Sequence, residues 1–143
     1  MQLTVADARS LVEDVMKALG HDKDDSWIIA DHIIDCELRG LTYGGLPRAV
    51  SISERIGRIG KARKPVETLH ETPVSARLAG NDNIGYVVAY RATEMAIAKA
   101  KISGISVIGA DGNWYTGMLS YYAEMAAAEG LLTMIISNAT PWV

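Results

Sequence analysis

Residues 104–138 read Gly104-Ile105-Ser106-Val107-Ile108-Gly109, then Ala110-Asp111-Gly112-Asn113-Trp114-Tyr115-Thr116-Gly117, then an alanine-rich segment from Met118 to Gly130, then Leu131-Leu132-Thr133-Met134-Ile135-Ile136-Ser137-Asn138. A short apolar run, a glycine-containing turn, an alanine-rich segment closed by glycine and a second apolar run predict a strand–helix–strand unit. Ligands of such units sit at the carboxyl end of the first strand, against the N-terminus of the helix. The loop at 111–117 is therefore the first place to look for a site.

Working outward, the segments before this unit are helical. Thr4 followed by Asp7 is a capping box with Asp in place of Glu. Behind it Ala8, Leu11, Val12, Val15, Met16 and Leu19 recur at helical spacing, and Gly20 closes the helix. Asp24, Asp25 and Ser26 open a second helix, whose apolar face carries Trp27, Ile28, Ile29, Ile33, Ile34 and Leu38. Pro47 suits the first turn of a third helix, with Val50, Ile52, Ile56 and Ile59 on one side and Gly60 at its end. Arg55, Arg58, Lys61, Arg63 and Lys64 around that end read as a solvated helix terminus complementing the dipole. Two strand-like runs follow, at 66–69 and 74–78. Gly80-Asn81-Asp82-Asn83 reads as a turn, and a long helix is predicted over 86–102. The expectation is an α/β fold: a helical N-terminal portion (1–64), then a mixed sheet with packed helices (65–143), together forming one compact domain.

The whole chain bounds the function. Its 143 residues suffice for one core, and 49% hydrophobic with 22% charged residues is ordinary for a globular protein. A net charge of −3 argues against nucleic acid, whose binders carry a basic face. No apolar run is long enough for a membrane span, no secretory signal is visible at the N-terminus, and the lone Cys36 cannot form an internal disulfide. The expected location is the cytoplasm. No Cys/His/Asp cluster has metal-ligand spacing, so no metal is expected. The sequence ends on Pro141-Trp142-Val143, and the exposed Trp142 end leads us to expect a covering partner or a longer parent polypeptide.

Arg39-Gly40, Gly45 and Arg48 form one motif. Gly104-Ile105, Gly117, Tyr121-Tyr122-Ala123, Ala126-Ala127, Gly130-Leu131 and Ser137-Asn138 form a second set. In order and spacing these resemble the N-terminal part of the type-2 malate/L-lactate dehydrogenases, which are NAD(P)H-dependent oxidoreductases without a Rossmann fold. The resemblance implies a truncated relative: a small carboxylate substrate, NAD or NADP as cofactor, and a homo-oligomer or a second chain supplying the C-terminal half.

Two departures bear on chemistry. The first family motif, Arg-Gly-x-x-Ser-His-Gly-x-x-Arg, stands here as Arg39-Gly40-Leu41-Thr42-Tyr43-Gly44-Gly45-Leu46-Pro47-Arg48. The second, Asn-Ser-x-His-x-Gly, aligns with Gly112-Asn113-Trp114-Tyr115-Thr116-Gly117. Tyr43 and Gly44 replace the serine and histidine, and Tyr115 replaces the second histidine. Carbonyl reduction needs a proton for the developing alkoxide, a task that suits histidine, and a cation for the substrate carboxylate, a task that suits the planar fork of arginine. Arg48 keeps the cation. No catalytic residue is intact, and Tyr115 is the candidate donor, although a phenol with an ordinary pKa of about 10 is a poorer acid–base group. By the same resemblance Arg48 and Tyr43 would contact substrate, and Thr116 and Gly117 the cofactor. His21, His32 and His70 read as structural or surface residues, Tyr121 and Tyr122 as a half-buried helix face, and Cys36 as a small apolar packer. The alternative is a degenerate, non-catalytic relative serving as an assembly or small-molecule-binding subunit.

Overall fold

A computed structural model describes residues 3–60 and 64–138. Three helices come first: α1 (Val5–Ala18), α2 (Lys23–Leu38) and α3 (Pro47–Ile59). They are followed by β1 (Glu67–Glu71), β2 (Ser75–Ile84), α4 (Gly85–Ser103), β3 (Val107–Trp114) and α5 (Leu119–Ala128).

The helix ends follow their caps. The Asp7 N–H donates to Thr4 Oγ1 (3.1 Å), and the Thr4 hydroxyl donates to the Asp7 carboxylate (2.6 Å). α2 is capped by Asp22, which accepts from the Asp25 N–H at 2.8 Å, two residues before the acidic pair expected to open it. Gly20, Gly60 and Gly104 follow helix ends with positive φ, as glycine alone does without strain. No described helix is long and apolar enough to cross a membrane.

β2 lies between antiparallel β1 and parallel β3, so β2–α4–β3 is a crossover unit. The expected turn at 80–83 is instead a kink within β2. Gly80, Asn81 and Asp82 stand opposite the lone Gly112, and Asn81 and Asp82 take left-handed backbone (φ 51° and 58°). Asn and Asp tolerate that region better than other side chains, so the turn chemistry was read correctly but the strand continues through it as a bulge. The pairing is close. A Cβ on Gly80 would lie 2.7 Å from the Asp111 carbonyl oxygen.

A single buried cluster joins the front helices to the sheet. Val12 and Met16 of α1, Ile28, Ile29 and Ile33 of α2, and Ile52 and Ile56 of α3 meet Ile84, Tyr86, Val87 and Trp114. Each such side chain contributes roughly 1.5–3 kcal/mol on burial. Some expected face residues lie outside it. Leu11, Trp27, Leu38, Val50 and Ile59 are exposed, because each sits at the rim of its helical stripe.

The second apolar run of the opening unit departs furthest from expectation. Residues 131–138 belong to no strand, and Leu132, Met134 and Ile136 are 104%, 85% and 84% exposed. They have strand composition but no neighbour to pair with among the described residues. Asp111 to Trp114, expected in the loop, extend β3, so the loop proper begins at Tyr115. Lys61, Arg63 and the Trp142 end lie outside the described residues.

Candidate functional site

The site forms where the start of α3 meets the loop between β3 and α5. Pro47 occupies the first turn of α3, and the Leu46 N–H donates to Glu37 Oε2 at 2.8 Å. Glu37 thus serves a helix N-terminus that has no side-chain cap of its own. Glycine at 45 makes room for it, since a Cβ there would stand 2.0 Å from Glu37 Oε2 and 3.2 Å from its Cα. Gly45→Ala is therefore expected to unseat that carboxylate and cost about 1–2 kcal/mol, the range of a lost helix cap. A denaturant midpoint within error of the parent would refute the argument.

Arg48 follows in the first turn of α3. Its Cζ lies 4.6 Å from the centroid of the Tyr115 ring, a cation–π contact that joins the helical portion to the β3–α5 loop. No carboxylate pairs with the Arg48 guanidinium among the described residues. Tyr115 is held at φ 55°, an unusual conformation for a non-glycine residue and one often found at functional loops. Tyr43 lies in the 39–48 turn, 75% exposed. Gly44 is buried, and a Cβ there would touch Cys36 Sγ at 3.4 Å, so the position expected to have lost an imidazole is packed by the thiol. Burial pushes the pKa of that thiol up, with Asp35 adding to the effect and Arg39 and Arg48 opposing it.

Thr116 and Gly117 are fixed from below. The Tyr122 hydroxyl donates to the Thr116 carbonyl (2.7 Å), and the Met118 N–H donates to His32 Nε2 (3.0 Å). The start of α4 abuts the same loop, because a Cβ on Gly85 would lie 2.8 Å from the Thr116 backbone. α5 then begins without a side-chain cap, leaving the first N–H groups of its first turn beside Gly117.

Three residues have more structure than their sequence reading suggested. His32 is fully buried, with its ring stacked on Tyr86 at 4.3 Å. Its Nδ1 has no hydrogen-bond partner among the described residues. Desolvation lowers its pKa to about 4, partly opposed by Asp31, so the ring stays neutral and can accept from Met118. Tyr121 and Tyr122 are buried rather than half-buried, and the Tyr121 hydroxyl donates to Asp31 at 2.6 Å. A polar residue inside the otherwise apolar stripe of α2 was the available signal for His32, since buried polar groups are hydrogen-bonded.

The structure adds Tyr86 to the set. Its ring is buried, and it raises no signal in the sequence beyond following Gly85 at a helix start. Burial raises its pKa, Arg48 opposes that, and Cys36, Tyr115 and Tyr43 add to it, so its hydroxyl senses the whole cluster. Arg48 thus lies against Tyr115, and the buried Tyr86 phenol feels Arg48, Tyr115 and Tyr43 electrostatically. His21 and His70 stand apart from these residues, with His70 exposed on β1. No group of three or more metal-ligating side chains occurs among the described residues.

Beside the loop opens a groove of about 1820 Å³. It is lined by residues of α4, β3, α5 and 131–138, and by Tyr115, Thr116 and Gly117 of the loop. Asp111, the one carboxylate on its described lining, is paired with Arg77 at 2.7 Å.

A family model described as malate/L-lactate dehydrogenase matches residues 3–143. The malate/(S)-sulfolactate dehydrogenase of Methanothermus fervidus is 32% identical over 145 residues, covering 100% of this chain and 42% of that protein. The ureidoglycolate dehydrogenase (NAD(+)) of Escherichia coli K12 is 28% identical over 144 residues, again covering 100% of this chain and 41% of that protein. The solved malate dehydrogenase of Pyrococcus horikoshii superposes with a TM-score of 0.83 at 31% identity, over 91% of this chain and 38% of that one. The chain therefore spans about two-fifths of the length of the relatives it matches. With its helices and mixed sheet arranged as in that structure, and the family pattern running nearly from end to end, the chain belongs to the malate/L-lactate dehydrogenase family.

Proposed function

We propose that this chain forms the substrate-gripping N-terminal part of an oxidoreductase that interconverts small 2-keto and 2-hydroxy carboxylates. The observation that carries the reading is the Arg48 guanidinium, unpaired among the described residues and held over Tyr115 at the mouth of the β3–α5 loop. A substrate carboxylate takes two charge-assisted hydrogen bonds from such a fork. NADH or NADPH supplies the hydride when bound. The groove suits an anionic cofactor, because its described lining holds one carboxylate, paired with Arg77, and includes the loop and first residue of the α5 start, which has no side-chain cap. Thr116 and Gly117 would hold it there, the reading favoured by the naming of the Escherichia coli relative for NAD(+).

The proton is the harder requirement. With no histidine at positions 44 and 115, the phenol in contact with Arg48 is Tyr115, and Tyr43 and Tyr86 are the further phenols proposed as donors. Tyr115 and Tyr43 present theirs at the surface, and Tyr86 presents a buried, hydrogen-retaining one. A phenol that holds its proton can donate a hydrogen bond to a developing alkoxide, and the adjacent Arg48 cation helps it release the proton. A soluble cytoplasmic assembly with further copies or a second chain fits this reading.

A second reading, a binding subunit without turnover, is favoured by the packing of Gly44 against Cys36, which leaves scaffold but no imidazole at that position. The two separate in one set of measurements on the chain, alone and joined to a complementary C-terminal part. Malate and NADH binding are followed by protein fluorescence, then turnover. Binding with turnover supports the enzyme, binding alone the subunit, and flat signals in both forms refute both. Arg48→Ala is expected to weaken malate binding roughly 10- to 100-fold, the equivalent of the ~1.5–3 kcal/mol of charge-assisted hydrogen bonds, with NADH binding unchanged. Equal weakening of both ligands would remove Arg48 from the carboxylate role.

A further inference from the structure

Three buried tyrosines surround the β3–α5 loop, and two of them have an acceptor for the phenolic proton. The Tyr121 hydroxyl donates to Asp31 and the Tyr122 hydroxyl to the Thr116 carbonyl. Tyr86 is 2% exposed, and its hydroxyl makes no hydrogen bond among the described residues. A buried phenol ordinarily finds a partner. Nor is this oxygen sealed in. It keeps contact with solvent, unlike His32 Nδ1 and Arg55 Nε, which are unpartnered among the described residues and fully shut off. The little surface left to Tyr86 therefore includes the one group able to meet a ligand.

The place of that hydroxyl is fixed by its neighbours. The Tyr86 ring stacks on His32 with centroids 4.3 Å apart. A Cβ on Gly117 would run into Tyr86 Cε1, the ring carbon beside the one that bears the hydroxyl, so the phenol lies against Gly117. Gly85, the residue before it, packs against the Thr116 backbone. Two residues before Gly117, Tyr115 carries the Arg48 guanidinium on its ring face, and the Arg48 charge reaches the Tyr86 hydroxyl. Tyr115 is 40% and Tyr43 75% exposed, so water competes for their hydroxyls, whereas burial holds Tyr86 in one orientation.

We propose that Tyr86 is the catalytic acid of this site, its Oη–H donating to the 2-oxygen of a 2-keto or 2-hydroxy acid whose carboxylate is held by Arg48. That assignment rests on the carboxylate-binding role of Arg48 and selects one phenol beside it. As hydride passes from a reduced nicotinamide to the carbonyl carbon, the carbonyl π pair moves onto oxygen. The oxygen takes the phenolic proton, and the Tyr86 O–H bond breaks. The phenolate left behind is stabilised by the Arg48 cation, and water restores its proton through the opening at the oxygen.

Calorimetric titration of the full chain tests it with two diacids that differ by one hydroxyl, malate and succinate. Tyr86→Phe removes only the phenolic oxygen. It is expected to weaken malate roughly three- to ten-fold, the equivalent of one neutral hydrogen bond, and to leave succinate unchanged. Because that oxygen has no partner among the described residues, the denaturant midpoint of the ligand-free variant should match the parent's or rise. Arg48→Ala should weaken both diacids. Equal malate affinity in Tyr86→Phe and the parent would overturn the donor, and a loss of both diacids in Arg48→Ala would then leave the arginine's role standing without it. A lowered midpoint, with malate and succinate weakened together in Tyr86→Phe, would make Tyr86 a structural residue and overturn the donor as well. Failure of the parent to bind malate, or of Arg48→Ala to weaken either diacid, would remove the carboxylate reading and the donor with it.

Discussion

Gly117→Ala is expected to cost about 3–5 kcal/mol and to abolish any binding that depends on the β3–α5 loop. Three effects act on the same atom. The backbone at Gly117 is left-handed, with φ 80°, which costs a residue with a Cβ roughly 1–2 kcal/mol. The added methyl would stand 2.4 Å from His32 Nε2 and 2.4 Å from Tyr86 Cε1, well inside van der Waals contact. Neither ring can move aside, because His32 is 0% and Tyr86 2% exposed and the two are stacked at 4.3 Å. Pushing His32 away also breaks the bond from the Met118 N–H and leaves that part-buried donor without its acceptor, for about another 1 kcal/mol. Gly130→Ala is the matched control. Its φ is 74°, and nothing lies within 4 Å of the added methyl, so it should lose only the backbone part, about 1 kcal/mol. Chemical denaturation of both variants decides the matter, and equal losses would mean that the crowding under the loop is not real.

Gly117 also shows what the sequence could and could not tell. A glycine closing a strand-to-helix loop is legible as a turn residue, and the family motif marks it. That its α-hydrogen faces an imidazole contributed from α2, 85 positions earlier, is a tertiary fact with no local signature. The same division runs through the chain. Helix ends were readable because caps are local: Thr4 with Asp7, Pro47 and Gly104 act within a turn of themselves. Strand state was readable only where a pairing strand is found among the described residues. β2 and β3 have each other, whereas 131–138 has an equally good strand composition and no strand neighbour among the described residues, so period and propensity overstated it. At 80–83 the turn residues were recognised, but a bulge and a reversal use the same left-handed Asn and Asp. In the site, Arg48, Tyr43 and Tyr115 were found through a motif. His32 and Tyr86 act through burial and stacking, which depend on what packs against them.

His32 carries the second large effect, a loss of about 3 kcal/mol of stability on acidification. In the fold its Nε2 accepts from the Met118 N–H at 3.0 Å, so the neutral ring is the one that fits. Protonation would place a second N–H against that donor, in a position with no solvent. Burial accordingly lowers the folded pKa to about 4, against about 6.5 for a free histidine, and the Asp31 carboxylate next to it recovers only part of the shift. Below about pH 6.5 the unfolded chain takes up a proton that the folded chain refuses, so stability falls as pH falls. The loss starts near 6.5, grows through 5 and is complete near 4. At roughly 1.4 kcal/mol per pH unit it reaches about 3 kcal/mol. The chain holds other ionisable groups, so the wild-type curve alone does not isolate the histidine. His32→Phe does. It keeps a ring against Tyr86 but cannot titrate, and at pH 7.5 it should be about 1–3 kcal/mol less stable because the Met118 N–H loses its acceptor. Between pH 6.5 and 4 the variant should lose stability more slowly than the parent, so the two denaturation curves converge and the difference closes near the acid end. Parallel curves over that range would show that the ring under the loop is not the group that resists the proton.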